Sequence, residues 1–67
     1  TLPETWRDSV GEEAARQTVE LRLENRVLYV RLRSSVLRSE LLYQREALRD
    51  EINRRSGVRL VSSVVVR

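Results

Sequence analysis

"TVELRLENRVLYVRLRSSVLRSEL", residues 18 to 41, changes its apolar period near the middle, and that change decides the fold. Apolar and polar residues alternate on both sides of Glu24, Asn25 and Arg26, the pattern of a β-hairpin whose strands each present one face to a core. With Asn25 and Arg26 as the loop residues, Leu23 faces Leu28, Leu21 faces Val30 and Val19 faces Leu32, so one face is continuously aliphatic. The opposite face pairs Arg22 with Tyr29 and Glu20 with Arg31. A slip of one residue would set aliphatic side chains against polar ones, so the pattern fixes the register. Arg26 occupies a turn position that prefers glycine.

Beyond Leu32 the period becomes helical. Ser34 and Ser35 are capping residues, and Leu37, Leu41, Leu48 and Ile52 then recur on one stripe to about Ser56, where Gly57 supplies a C-terminal stop. The closing "VRLVSSVVVR", residues 58 to 67, is β-branched and reads as a third strand, with Val64 and Val66 inward and Val61 and Val65 outward. Upstream, "LPETWRDSVGEEAARQT", residues 2 to 18, reads as a helix: Pro3 suits the first turn, Glu4 complements its positive end, and Trp6, Val10 and Ala14 share a stripe. Gly11 interrupts that helix. Close approach of another backbone is favoured there over a bend.

The expected order is therefore helix, strand, strand, helix, strand. Residues 1–67 form one α+β domain of two layers, a three-stranded sheet with both helices on its aliphatic face and the other face open. Sixty-seven residues give a thin core and little room for an internal catalytic cavity. The first residue is Thr rather than Met, so the domain is expected to be a piece of a longer chain.

The charge balance points to binding rather than chemistry. All 13 basic residues are arginines, set against 10 acids, for a net charge of +3, so basicity matters only where it is segregated in space. On the long helix, Arg38, Arg45 and Arg49 line one flank of the apolar stripe, with Leu42 beside them. Arg54 can pair with Asp50 and Arg55 with Glu51, whereas Arg38 and Arg45 have no acid at helical spacing. Arg31 and Arg33 share the outer sheet face with Tyr29, a set suited to phosphate contact and base stacking, although Arg31 also faces Glu20. For any one of these arginines the plainer role is a long stem covering the core edge with its head in water. On the same sheet face Val27, Tyr29, Val61 and Val65 offer a weaker patch for a protein partner.

The absence of Cys and His excludes a disulfide framework, a thiolate metal site and the commonest zinc ligand. Glu12 and Glu13 are adjacent and diverge on a helix, no base neighbours the serines, and the two glycines fit no phosphate-cradling loop. The expectation is a non-enzyme without metal or cofactor. The longest apolar run, Val64 to Val66, is too short to span a bilayer, and a soluble protein of the cytoplasm is expected.

Several features in order carry a resemblance: "WxxxVGExxA" from Trp6 to Ala15, Thr18 opening the strand, "LYVRLRSSVLRSEL" from 28 to 41, "IN" at 52 to 53 and "VVVR" at 64 to 67. Together they resemble the DciA family of bacterial replicative helicase loaders across nearly the whole chain. That resemblance implies a KH-like domain, type II in its order of elements, interaction with the replicative helicase DnaB, and contact with DNA. Two departures shape the expectation. Arg26 stands where the family usually has glycine, and the GxxG loop of nucleic-acid-binding KH domains is absent. Contact with single-stranded or forked DNA then rests on Arg31, Arg33, Arg38, Arg45 and Arg49, with strong salt dependence and little sequence preference. The alternative is a protein-interaction or weakly dimerising module that uses the open sheet face and binds no nucleic acid.

Overall fold

The computed structural model describes residues 2–67. The chain runs α1 (Leu2–Val10), α2 (Glu12–Arg16), β1 (Thr18–Glu24), β2 (Val27–Leu32), α3 (Ser35–Tyr43), α4 (Arg45–Ser56) and β3 (Ser63–Val66). The sheet order is β1-β2-β3, with β1 antiparallel to β2 and β3 parallel to it. A parallel neighbour requires a crossover, and α3 with α4 supplies it. Trp6 from α1, Leu41 from α3, and Leu48 and Ile52 from α4 pack on Leu28, Val30, Leu32, Val64 and Val66 of the sheet. The result is a two-layer α+β domain, compatible with a KH-like fold.

The hairpin forms as its alternation demands. Leu23 pairs with Leu28, Leu21 with Val30, Arg22 with Tyr29 and Glu20 with Arg31. Asn25 and Arg26 both adopt positive φ, 52° and 64°, the signature of a two-residue type I′ turn whose twist matches the strands. Arg26 holds this conformation through two attachments. Its guanidinium donates to the Arg59 carbonyl at 2.7 Å, and its own carbonyl accepts from the Ser62 N–H at 2.7 Å and the Ser62 hydroxyl at 2.9 Å.

The strand start departs from the alternation. Leu32 pairs with Thr18 rather than Val19, because the register shifts between Thr18 and Glu20. Thr18 is anchored on the helical layer: its Oγ1 accepts from Trp6 Nε1 at 3.0 Å and donates to the Ala14 carbonyl at 2.8 Å. The extra residue bulges outward, and Val19 is 53% exposed instead of belonging to the core.

Both long helical segments are broken. Gly11 takes φ 93° and ψ 163°, and nothing lies within 4 Å of the position a Cβ would occupy, so its role is conformational and close packing does not explain it. It ends α1 and starts α2, lending a hydrogen bond to each: its N–H reaches the Arg7 carbonyl and its carbonyl accepts from Ala15. The Leu37 helix also divides, at Gln44 with φ −102° and ψ 15°, without any glycine or proline to announce it. Ser34 caps α3 by accepting from the Leu37 N–H at 3.3 Å, and Gly57 closes α4 with a left-handed φ of 77°.

Val64 and Val66 point inward as the strand pattern requires, and half-buried Val65 points to the outer face. Val61 does not face outward. It precedes β3 and is 0% exposed, fixed by Asn53, whose Oδ1 accepts the Val61 N–H at 2.8 Å while Nδ2 donates to the Val61 carbonyl at 2.9 Å. The parity of β3 does not extend back through the turn that precedes it, so Val61 enters the core and leaves the proposed partner patch.

Candidate nucleic-acid interface

The arginines separate by what neutralises them. In α4, Glu51 engages both Arg54 and Arg55, each at 2.6 Å, so the expected Arg54–Asp50 pair does not form. Asp50 instead meets Arg49 at 3.1 Å. The Arg54 hydrogen bond is the foremost of the contacts that hold the Glu51 carboxyl below its ordinary value of 4.5, and the same contact raises the Arg54 guanidinium. On the sheet, Glu20 faces Arg31 in register but lies 3.8 Å from Arg22, which also reaches Glu24 at 3.4 Å. Among the described residues, Arg31, Arg33, Arg38 and Arg45 enter no ion pair. Surface ion pairs contribute little to stability, but they do decide which cations remain open to an external anion.

Two of those open cations meet. Arg31 from β2 and Arg38 from α3 line a cleft of about 380 Å³ together with Arg67, Glu20 and Leu32. Arg31 reaches it from the sheet layer and Arg38 from the helical layer, half-buried, so the cleft sits at the seam where the two layers join. The Nε of Arg38 is shut off from solvent and has no hydrogen-bond partner among the described residues. A buried donor without an acceptor costs about 1–3 kcal/mol, and a movement of Arg38 that brought this Nε to an acceptor would recover it.

Arg67 is the residue the sequence reading missed. Its signal was parity: it follows Val65 by two positions and so belongs to the outer face that carries Tyr29 and Arg31. Its guanidinium lies 5.6 Å from the centre of the Tyr29 ring, and that of Arg22 lies 4.7 Å away. The half-buried Tyr29 is therefore already approached by two cations, and a base stacking on it would compete with them.

Arg45 and Arg49 do not join that cleft. They line a smaller one of about 140 Å³ with Glu46, Ser63 and Val64, at the opposite end of β3. Arg49 also borders a neighbouring depression with Asp50, Asn53, Arg59, Val61 and Ser62. Arg33, exposed just beyond β2, lines none of these three and gives its backbone N–H to the Gln17 carbonyl at 3.0 Å. The helix arginines thus bracket β3 rather than converging on one point. From Ser63 to Arg67 the strand direction covers about 13 Å at its usual rise.

Val27 and Val65 remain on the outer sheet face around Tyr29, half-buried, after the loss of Val61 to the core. Among the described residues no cluster of three or more carboxylates could hold a metal ion. Among the same residues no helix is long and apolar enough to cross a membrane.

The motif residues have structural duties. Trp6, Gly11, Thr18, Ser34 and Asn53 tie helices to strands, end a helix, cap one or clamp a turn. Such an ordered framework is what a family comparison detects, and residues 1–66 match the family described as "Dna[CI] antecedent, DciA". No curated protein and no solved structure matches the chain. The match covers all but the last residue, and the protein belongs to the DciA family of bacterial replicative helicase loaders.

Proposed function

We propose that this domain is a non-enzymatic DNA-binding accessory module of bacterial replication, acting in the cytoplasm to help place the replicative helicase DnaB on single-stranded or forked DNA. The observation that carries this reading is the cleft shared by Arg31, Arg38 and Arg67, where cations from two layers face one space and Arg38 keeps a buried donor unsatisfied. A phosphate fits that chemistry, because planar guanidinium groups bind phosphate oxygens through paired, charge-assisted hydrogen bonds. Glu20 at the rim is already engaged by Arg22, so the cleft remains net positive.

Arg45 and Arg49 extend the contact to the other end of β3, and exposed Arg33 adds a peripheral charge. Arg49 contributes less than its position suggests because Asp50 holds it. Tyr29 acts chiefly by steering Arg67 and Arg22 through its ring face. Contacts of this kind position a phosphate backbone and carry little sequence information. The protein-interaction alternative, with a weak homodimer through the open face, rests on a patch reduced to Val27, Tyr29 and Val65.

Charge reversal tests the assignment. Arg31→Glu with Arg38→Glu is expected to weaken binding of a single-stranded oligonucleotide at least about tenfold, roughly 1.4 kcal/mol. Arg54→Glu with Arg55→Glu, which changes the net charge equally at sites already held by Glu51, is expected to cost far less. Equal losses in the two double variants would mean that only overall charge matters and that the cleft is not the site.

A further inference from the structure

We propose that the free edge of β3 is a strand-addition site for an extended acidic segment of a partner protein. Among the described residues β3 is an edge strand, bonded to β2 on one side only. The Arg67 N–H donates to the Val30 carbonyl at 2.8 Å, and the Leu32 N–H donates to the Arg67 carbonyl at 3.2 Å. Backbone groups alternate in direction along a strand, so Ser63 and Val65 also turn toward β2 while the N–H and C=O of Val64 and Val66 turn to the open side. Among the described residues, no hydrogen bond satisfies those four groups. Their side chains are buried and hold the strand in place, so the edge is a fixed template.

The flanks of that edge specify its occupant. On the helical side, Arg45, Glu46 and Arg49 border Ser63 and Val64, with Arg49 held by Asp50 and Arg45 in no ion pair among the described residues, and Arg38 lies toward Arg67 at the other end. On the outer side stands Val65. A second copy of this chain would bring a second unpaired Arg45 to the seam, and like charges across a strand pair repel. An acidic strand is attracted instead. The two open positions repeat every second residue, the repeat of a polypeptide backbone, so one added strand satisfies all four groups at once. Its side chains would alternate, carboxylates toward Arg45 and Arg49 and apolar groups over Val65.

The test uses the whole domain and a short capped peptide alternating Glu and Val. At saturation the Val64 and Val66 amide protons are expected to exchange about tenfold more slowly, the mark of edge bonding. Methylating the peptide nitrogens that face the edge, or replacing its Glu by Lys, is expected to abolish binding, and Arg45→Glu with Arg49→Glu to weaken it about tenfold. Three results would overturn the proposal: unaltered exchange at Val64 and Val66, equal binding of the methylated peptide, or protection of those amides by a single-stranded oligonucleotide alone. An oligonucleotide titration of the same sample separates the readings, since retained DNA binding with no peptide capture sinks only the edge site.

Discussion

The side-chain amide of Asn53 spends both its donor and its acceptor on one residue, Val61. This clamp pins the turn between α4 and β3 and delivers Val61 to the core beside Ile52, the residue that precedes Asn53 in the chain. Asn53→Ala leaves a partly buried N–H and carbonyl without partners, a loss of about 2–3 kcal/mol. Asn53→Asp keeps the acceptor, loses the donor and places a carboxylate against a carbonyl, so it should rescue little of that loss. A urea midpoint lowered in both variants with an unchanged slope is the expected result. The same contact explains why Val61 was misplaced by sequence. Its orientation is dictated by a side chain eight positions upstream, whereas strand parity assumes a continuous ladder back from Val64. Val19 fails for a related reason: Thr18 answers to Trp6 and Ala14, and the one-residue shift that follows is invisible to alternation.

At the scale of elements, α4 shows charge placement acting on stability. Glu51 gathers Arg54 and Arg55 at the helix end, where the dipole already favours cations. The Glu51 carboxyl ionises below 4.5 in the folded chain, mainly because Arg54 hydrogen-bonds it. A carboxyl depressed by folding stabilises the native state fully above its unfolded value, and that stabilisation is lost as pH falls from about 4.5 through the lower folded value. Thermal scans across that acid range should therefore show Glu51→Gln less sensitive to pH than the parent, with the two diverging as pH rises through it and keeping a constant gap above. A direct NMR titration placing the Glu51 carboxyl at or above 4.5 would contradict the pairing. The hairpin, the serine cap and the Gly57 stop were legible because each depends on residues close in sequence. The break at Gln44 was not, since no backbone-altering residue marks it and the Leu41 to Leu48 spacing fits an unbroken helix equally well.

Across the whole molecule, the question the sequence left open was whether sheet and helix arginines share a surface. They do so in part: Arg31 and Arg38 meet at the layer seam, while Arg45 and Arg49 stand at the far end of β3. No pattern along the chain foretells this, because Arg31 and Arg38 belong to separate elements whose relative placement is set by the packing of Leu32 and Leu41. With a net charge of only +3, the domain can attract a polyanion through local clustering but not through its overall field. That distinction is measurable as a salt dependence. For a single strand, the logarithm of affinity falls against the logarithm of salt with a slope of about 0.7 per phosphate neutralised, so the proposed contact predicts a slope of about 2 from the three cleft arginines. Arg31→Gln with Arg38→Gln should lower the slope by about 1.4, whereas Arg45→Gln alone should lower it by about 0.7 and leave the cleft's share intact. A slope that stays at the parent value in the first variant would show that these arginines touch no phosphate, and the DNA contact would have to be sought on another face.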